Sequence, residues 1–382
     1  MRLALTGYSV VSTLGVGRVT WEDALRSEAD LAKTAFSPAS EVAPGRRVAE
    51  VWNWDPAAHL GAKGHRTYDR LTKFLIAAAK SALLDAGVKR DGEFLHEELG
   101  SHDVGVCSAT AYGSLDAIAE LNRVAELEDP RYINPQRFPN TVINAAAGYV
   151  SIWEKLAAPN TTVVDGNCGA LDALLVAETQ LRHRRGNAFV VGGGEVASEP
   201  LMLALKKLGL MEQGGLDVGE GAAFFVAERL EDATARGAKI LAEVAGYGTA
   251  FDPPESDALL VHGSARALSD AIRLALADAG LEAGDVDLVV RSESGLSAFD
   301  EAEVNALGEL ALLDCAALRP KRWIGETFGA SGAFGMAAAL TAMSGGLTHR
   351  IDGASSARHV LVTTLGYYGN ASAVILRQNG TR

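Results

Sequence analysis

Apolar residues recur at helical spacing in several segments of the chain, and these segments end at glycines. The clearest is RTYDRLTKFLIAAAKSALLDAG, residues 66–87. This spacing predicts an amphipathic helix, and a closing glycine is typical of a helix end because it accepts left-handed backbone. Short apolar runs between the helices predict buried strands. The predicted helices of the first part are 66–87 and 169–186, and its predicted strands include 103–113, 161–167 and 187–196.

The second part of the chain repeats this rhythm. Residues 264–280 predict a helix, and DVDLVVRSESG at 285–295 parallels DVGVCSATAYG at 103–113. A helix of small residues follows at 330–346, and a hairpin closes the chain. Alternating strands and helices are typical of layered α/β architecture, and two similar series indicate an internal duplication. The predicted halves, each a strand–helix–strand–helix–strand series, are residues 1–235 and 236–382.

Composition and charge narrow the class of protein. The chain has 382 residues, a hydrophobic fraction of 48% and a formal net charge of −13. That charge argues against nucleic acid or an anionic membrane surface as partners, because both bind basic faces. No stretch approaches the roughly 20 apolar residues that span a membrane. The three cysteines lack metal-ligand spacing, and their odd number favours a reducing compartment. We therefore expect a cytoplasmic protein without a metal site or a cofactor.

One junction carries candidate chemistry. In VVDGNCGALDALL, a predicted strand leads through a tight turn into the helix at 169–186. A cysteine at a helix N-terminus is a candidate nucleophile, because the helix dipole favours its thiolate. Cys168 fits this description, but Asn167 precedes it and competes for the reactive position. An asparagine cannot hold a thioester, so the choice between the two decides whether the protein is catalytic by itself.

Several segments, in order along nearly the whole chain, resemble the β-ketoacyl synthase family of the thiolase superfamily. VVGGGEV and VGEGAAFFV resemble its Gly-rich strand motifs, PKRWIGETFGASG its Lys-and-His motif, and TTLGYYGNASAV its closing loop. Residues 133–152 resemble its dimer-interface segment. The resemblance implies a thiolase-like α/β fold in which duplicated βαβαβ halves form five αβαβα layers. It also implies acyl transfer to a malonyl unit, with both groups carried on acyl carrier protein.

Members of the family use a Cys nucleophile, two His that stabilise an enolate, and a Lys that supports one His. The family pattern has Leu at +4 and an Asp-type residue near +5 from the nucleophile. Leu171 and Asp172 have these spacings when counted from Asn167, so the resemblance puts Asn167 at the nucleophile position. The competing hypothesis is a nucleophile shifted by one residue, Cys168. One residue turns a helical side chain by about 100°, so the two hypotheses exclude each other.

The two His positions are also altered. The residue before Gly295 is Ser294, and Glu326 follows the Ile-Gly pair, whereas Lys321 fits the supporting Lys. None of the eight histidines lies in either motif. An ionised carboxylate repels an enolate. We therefore expect Glu326 and Lys321 to form an ion pair that fills the vacated pocket, with Ser294 nearby. The closing loop has Tyr368 where a small Gly is expected.

A ketosynthase scaffold that lacks this chemistry resembles the chain length factors, the non-catalytic β subunits of type II polyketide ketosynthases. The resemblance implies pairing with an active ketosynthase α subunit across residues 134–152, and an aromatic or polyene product. Acyl carrier protein would carry the acyl and malonyl chains. The resemblance implies that a helix after Pro139 borders the acyl tunnel, and Thr141 and Val142 are the best candidates because they follow Pro139 at the family's spacing. The residues implied for the acyl tunnel are Phe138, Thr141, Val142 and Ile143.

Two other functions stay open on the sequence. One is a homodimeric acyltransferase or hydrolase of the same fold that uses Cys168 as its nucleophile. The other is a protein that binds acyl carrier protein without any ketosynthase partner.

Overall fold

The computed structural model describes residues 1–38, 47–52, 54–212, 215–256, 261–352 and 357–380. An eleven-stranded sheet forms the body of the protein, and the short strand Gly15–Val16 pairs with its first strand. The other strands of this sheet are β1 Leu3–Ser12, β2 Val104–Ala109, β3 Asn160–Val163, β4 Ala188–Glu195, β5 Gly221–Arg229, β6 Ala242–Phe251, β7 Leu288–Val290, β8 Ala316–Leu318, β9 His359–Leu365 and β10 Asn370–Arg377. Short strands outside it are Ser37–Pro38, Arg47–Ala49, Lys89–Arg90, Glu93–Phe94 and Val218–Gly219.

The helices pack on both faces of this sheet. The α-helices are α1 Arg18–Arg26, α2 Leu31–Ala35, α3 Pro56–Leu60, α4 Arg70–Asp85, α5 Leu115–Leu127, α6 Ala145–Glu154, α7 Gly169–Arg182, α8 Glu199–Lys207, α9 Leu230–Ala235, α10 Ala265–Ala279, α11 Ser297–Glu309, α12 Lys321–Ile324 and α13 Ser331–Met343. The 3₁₀ turns are Pro130–Tyr132, Pro135–Thr141, Gly166–Cys168, Ala283–Asp285, Phe328–Ala330 and Thr348–Arg350.

The order of the strands repeats between the two halves. The first five strands lie in the order β3-β2-β4-β5-β1, and the last five lie in the order β8-β7-β9-β10-β6. The directions match as well. The three strands farthest from the junction of the halves run parallel, and the remaining pairs of each half are antiparallel. β1 and β6 pair with each other and join the halves. The predicted duplication is therefore present in the fold.

A matched pair of bulges supports the same duplication. The register of β1 against β5 shifts beside Gly7, and that of β6 against β10 shifts beside Gly246. A Cβ atom on Gly7 would lie 2.3 Å from the backbone N of Ala86, which directly follows α4, and one on Gly246 would lie 2.1 Å from the backbone of α10. Both contacts are too close for any side chain. Glycine is therefore needed wherever a helix packs this closely on a bulged strand.

Three apolar clusters divide the molecule into five layers. One lies between β1–β5 and the outer helices α4 and α6. The central cluster surrounds α7 and α13 between the two groups of strands. The third lies between β6–β10 and the outer helices α10 and α11. Side chains alternate along the strands, so that Val190 faces the outer cluster whereas Val191 faces the central one. The predicted thiolase-like αβαβα fold is confirmed.

The central helices approach each other closely because α13 is built from small residues. A Cβ atom on Gly332 would lie 2.7 Å from the Leu171 side chain of α7. Every residue of α13 is buried, which fits its lack of a polar face. The predicted boundary at 330–346 is close to the observed helix, and the predicted helix at 264–280 is α10 with Gly280 in left-handed backbone.

The segment predicted to carry the tunnel residues differs from the expectation of one helix after Pro139. A 3₁₀ turn over Pro135–Thr141 comes first, Val142 has extended backbone, and the α-helix begins only at Ala145. Phe138, Thr141, Val142 and Ile143 therefore all precede α6. In the part of the chain that the structure describes, none of the helices combines the length and apolar character needed to cross a membrane.

Candidate functional site

The turn Gly166–Cys168 joins the end of β3 to α7 and sets the direction of its two candidate side chains. Gly166 has a φ of 52°, which lets the chain reverse before the helix begins. Asn167 is 1% exposed and Cys168 is fully buried. Their side chains contact different groups, because Asn167 faces Glu326, two residues after α12, and Cys168 faces β9. The two candidate side chains therefore lie in different surroundings, although the residues are adjacent in the chain.

Asn167 faces the carboxylate of Glu326. Its amide Nδ2 lies 3.2 Å from Glu326 Oε2. Lys321 Nζ lies 2.8 Å from the same oxygen, so the predicted Lys321–Glu326 ion pair is confirmed. The other oxygen of Glu326 accepts hydrogen bonds from the backbone N–H of Phe328 and from Ser331 Oγ, at 2.8 Å and 2.5 Å. A fully buried carboxylate is thus matched by one cation and three further donors, as burial requires.

The second-half loop contributes Ser292 to this cluster. Lys321 Nζ lies 3.0 Å from the Ser292 carbonyl oxygen and 3.4 Å from its hydroxyl. Ser294, the residue singled out from the sequence, instead donates its backbone N–H to Asp300 Oδ1. Ser292 is therefore the loop residue that contacts Lys321. Asp300 holds the backbone of Ser294 just before the chain turns at Gly295, which has a φ of 92°.

The closing loop places Tyr367 over the cluster. Tyr367 is buried, whereas Tyr368, the residue expected there from the sequence, is 61% exposed. The Tyr367 ring packs against Phe299 and Phe328 at centroid distances of 5.0 Å and 6.1 Å. Burial, and then the negative charge of Glu326, raise the pKa of Tyr367 well above its ordinary value. The pocket is therefore covered by a neutral aromatic ring.

Two polar atoms inside the cluster remain unmatched. Within the described residues, neither Asn167 Oδ1 nor the Tyr367 hydroxyl makes a hydrogen bond of normal geometry, although they lie in the same pocket. A cavity beside Lys321 and Ser292 has a volume of only about 10 Å³. That space holds no more than about one water molecule. Side chains thus fill most of the space beside Lys321 and Ser292.

Cys168 lies in a separate environment. Its Sγ contacts the Thr364 carbonyl oxygen at 3.8 Å. Burial, and then the negative charge of Asp172, raise the pKa of the Cys168 thiol. A reactive cysteine needs an electropositive and partly exposed site that lowers its pKa. The surroundings of Cys168 have the opposite effect and keep its thiol protonated.

The cluster brings together a side-chain amide and an ion-paired carboxylate. Asn167 has no ionisable nucleophile, and Glu326 presents a carboxylate where an enolate needs hydrogen-bond donors. Within the described residues, no group of three or more His, Cys, Asp or Glu side chains is arranged to hold a metal ion. The geometry supports a structural role for Lys321 and Glu326.

The implied tunnel residues lie at the surface of the chain. Phe138 is 62% exposed and Val142 is 51% exposed. Ile143 is also exposed, and Thr141 is half-buried. The described residues therefore leave large apolar side chains in this segment uncovered. The exposure is typical of a surface that another subunit covers.

Sequence reasoning missed a second buried carboxylate next to the site. Glu195 ends β4, and burial raises its pKa to about 7. It accepts hydrogen bonds from Thr110 Oγ1 and from the N–H groups of Ala111 and Gly329. The available signal was the charge itself, because Glu195 directly follows the apolar run FVVGGG. A charged residue at the end of a buried strand requires partners.

Comparison with known proteins places this chain in a family. The family described as Beta-ketoacyl synthase, N-terminal domain, matches residues 4–233, and Beta-ketoacyl synthase, C-terminal domain, matches residues 241–351. The chain is 29% identical to 3-oxoacyl-[acyl-carrier-protein] synthase 2 of Coxiella burnetii over 360 residues, which covers 87% of this chain and 83% of the relative.

Two further matches extend over almost the entire chain. It is 30% identical to "Putative polyketide beta-ketoacyl synthase 2" of Streptomyces halstedii, with 99% of this chain and 97% of the relative covered. The solved structure "The ishigamide ketosynthase/chain length factor" has the same fold, with a TM-score of 0.86, 24% identity and 99% of both chains covered. The matches to both domains over most of the length show that this chain belongs to the β-ketoacyl synthase family.

Proposed function

We propose that this protein is a chain length factor, the non-catalytic subunit that pairs with an active ketosynthase α subunit in a type II polyketide synthase. The pair would act as a 3-oxoacyl-[acyl-carrier-protein] synthase on chains carried by acyl carrier protein, and its product would be an aromatic polyketide or a polyene. In this proposal the chain contributes to the shape of the acyl tunnel and not to the bond-forming chemistry.

The observation that carries the proposal is the contact between Asn167 and Glu326 at 3.2 Å. These residues occupy the positions that the family pattern gives to the nucleophile and to one His. An amide and an ion-paired carboxylate face each other there, beneath the buried ring of Tyr367. The family resemblance supplies the expected roles, and the geometry supports their loss.

Pairing is supported by the surface around the interface segment. Phe138, Val142 and Ile152 are exposed apolar side chains. β3 is the last strand of the sheet, so one of its edges is open to a strand from another subunit. The likeness to a structure whose name joins a ketosynthase with a chain length factor is consistent with such a pair. The relative's name, which includes acyl carrier protein, agrees with that partner.

Two further points belong to the same proposal. The three cysteines are free thiols, which suits a reducing compartment such as the cytoplasm. The boundary between the halves at 235/236 follows the end of α9, Leu230–Ala235.

The alternative, an acyltransferase or hydrolase that uses Cys168, has less support. The full burial of Cys168 and the raised pKa of its thiol oppose nucleophilic attack. Incubation with acyl-loaded carrier protein and intact-mass analysis separates the two functions. We expect no stoichiometric acyl adduct, and an adduct on Cys168 would establish the alternative.

Co-expression with an intact Cys/His/His ketosynthase is the direct test of pairing. We expect the two subunits to co-purify in equal amounts and to form product together, whereas this chain alone forms none. As a matched control, Asn167→Cys alone should release no carbon dioxide from malonyl carrier protein, because Glu326 still faces the site. Failure of co-purification with every ketosynthase encoded beside this chain would contradict the proposal.

A further inference from the structure

A second function for the altered pocket follows from the hydrogen bonds around the turn Phe328–Ala330. Glu326 holds the first residue of this turn through the Phe328 N–H, at 2.8 Å. Glu195, from the end of β4, accepts from the next N–H, that of Gly329, at 3.3 Å. Phe328 has a φ of 46°, in the left-handed region that a bulky side chain rarely adopts. Two buried carboxylates thus fix a turn that is strained on its own.

The same Glu195 fixes residues 110–114 on its other side. It accepts from Thr110 Oγ1 at 3.0 Å and from the Ala111 N–H at 2.6 Å. Thr110 Oγ1 also accepts from the Gly113 N–H at 3.1 Å. Gly113 has a φ of 65°, and α5 begins two residues later. The carboxylate therefore sets the path by which the chain enters α5.

Direct backbone packing joins the turn to this segment. A Cβ atom on Gly329 would lie 2.5 Å from Ala111 N and 2.6 Å from Thr110 Cα. The two backbones are in van der Waals contact with no side chain between them. Because the backbones are in contact, the turn cannot shift toward residues 110–111 unless these residues also move.

Helix α5 leads from this segment to the open surface. All 13 residues of α5 are described and none is buried. Leu127 at its end is exposed, and the exposed residues Tyr132, Phe138 and Val142 follow. Several of its residues are half-buried, and the helix packs on the 3₁₀ turns Pro130–Tyr132 and Pro135–Thr141 and on α8. Because none of its side chains is fully buried, its position also depends on how its first turn is held.

We propose that Glu195 and Glu326 form a two-carboxylate clamp that positions α5 and the following apolar segment for the partner subunit. Both are positioning residues. The position that the family uses for enolate stabilisation holds the interface in this protein. The part concerning the partner rests on the proposed function above, whereas the part concerning α5 stands by itself.

Hydrogen–deuterium exchange on the full chain tests the clamp without a partner. Glu195→Gln replaces an acceptor with an NH₂ group that faces N–H donors. We expect exchange in residues 110–127 to become about tenfold faster, because a buried charged hydrogen bond is lost. Thr110→Val is the milder variant, since it removes only the hydroxyl, and it should accelerate exchange in the same residues by about threefold. Strands β7 and β9 should stay at wild-type rates in both variants.

Glu303→Gln is the matched control. Glu303 is also a fully buried glutamate, and it accepts from the Ser292 N–H and Thr363 Oγ1 in the other half. It should leave exchange of residues 110–127 unchanged. Unchanged exchange there in Glu195→Gln and Thr110→Val, or an equal rise in all three variants, overturns the clamp.

Co-purification with the ketosynthase α subunit then tests the consequence for the interface. We expect Glu195→Gln to retain about tenfold less partner than Glu303→Gln does at equal expression. Equal retention would show that the clamp does not serve the interface. If wild-type protein retains no partner, the proposed function fails while the exchange result still decides the position of α5.

Discussion

The second and third strands of each half are joined by very different connections, although the strand orders of the halves are identical. In the N-terminal half the connection is residues 110–159, and its helix α5 has no buried residue. In the C-terminal half it is residues 291–315, and α11 buries Phe299, Ala302 and Glu303 among others. The N-terminal connection therefore packs on the sheet through α6 and leaves α5 without a fully buried residue, whereas the C-terminal connection closes over the pocket beneath Tyr367.

This difference shows how one duplicated fold can separate two tasks. The C-terminal connection supplies Ser292 and Phe299, which contact Lys321 and Tyr367 and help to fill the pocket. The N-terminal connection supplies exposed Phe138 and Val142. Strand order is set by the shared core, but burial of a connection depends on what packs against it. Substitutions in the two connections should therefore affect different measurements.

The largest effect on stability is expected at Lys321, which contacts Ser292 of the C-terminal connection and pairs with Glu326 in the pocket. Lys321→Met leaves Glu326 charged and unpaired in a buried site, which should lower the free energy of unfolding by about 3–5 kcal/mol. Denaturant unfolding measures this change. The double variant Lys321→Met/Glu326→Gln should recover part of the loss, because the charge is gone and an oxygen still accepts from Phe328. A loss below about 1 kcal/mol in the single variant would mean that Glu326 is not buried as a charge.

Two alanine variants, one in each connection, test the difference between the connections most simply. Phe299→Ala removes a buried ring that packs on Tyr367 and should cost about 3–5 kcal/mol of unfolding free energy. Phe138→Ala removes an exposed ring and should change the stability of the isolated chain by less than about 0.5 kcal/mol. Phe138→Ala should instead weaken retention of the α subunit. Equal stability losses in the two variants would remove the distinction between the connections.

Variants at the exposed residues of the N-terminal connection test its role through the length of the polyketide product, and we expect them to leave the stability of the chain unchanged. Val142→Trp adds volume at the proposed tunnel wall, and dense packing cannot absorb an added ring. We expect a shorter polyketide from the reconstituted pair, with the α subunit unchanged and the heterodimer intact. Thr141→Gly and Val142→Ala should lengthen the product. Identical products from all three variants would show that this connection does not determine the length of the polyketide.

The smallest effect concerns a contact between the halves and depends on pH. Asp172 of α7 accepts hydrogen bonds from Tyr247 and Ser372 of the other half. Burial, and then the neighbouring Asp165 carboxyl, raise the pKa of Asp172 to about 7. The folded protein thus binds this proton more tightly than the unfolded chain does. The stability from this group is complete below about pH 4 and is lost as the pH rises through about 7.

Asp172→Asn should remove that dependence. Relative to wild type, the variant should gain thermal stability between about pH 5 and about pH 8, by a few degrees at the upper end. Melting curves across this range measure the difference. A difference that stays constant with pH would mean that Asp172 titrates normally in the folded protein.

The sequence predicted the fold well because its signals were local and repeated. The helices around α4, α7, α10 and α13 follow from apolar spacing and from glycines at or near their ends. The Lys321–Glu326 pair also followed from motif spacing, and it is present. The tunnel segment was less well predicted, because the extended backbone at Val142 interrupts the helix and no local spacing signal marks that break.

The loop residues that face the pocket could not be assigned from spacing. Ser292 and Ser294 are two residues apart and Tyr367 and Tyr368 are adjacent, and a turn decides which side chain of each pair points toward the pocket. Glycines with positive φ at 295 and 369 set those turns. The direction of a side chain in a tight turn depends on the backbone that packs against it, so only the folded chain decides it.

By itself the sequence indicated a layered α/β architecture and its duplication, because apolar periodicity and the order of strands and helices are properties of the chain. The five αβαβα layers and the roles expected at Asn167 and Glu326 came from the family resemblance. Only the tertiary structure decided that Asn167, rather than Cys168, faces Glu326. It also decided that Glu195 and Glu326 meet at one turn. These contacts join residues far apart in the chain. They exist because burial of a charged group is tolerated only where distant donors converge on it, and no local pattern specifies that convergence.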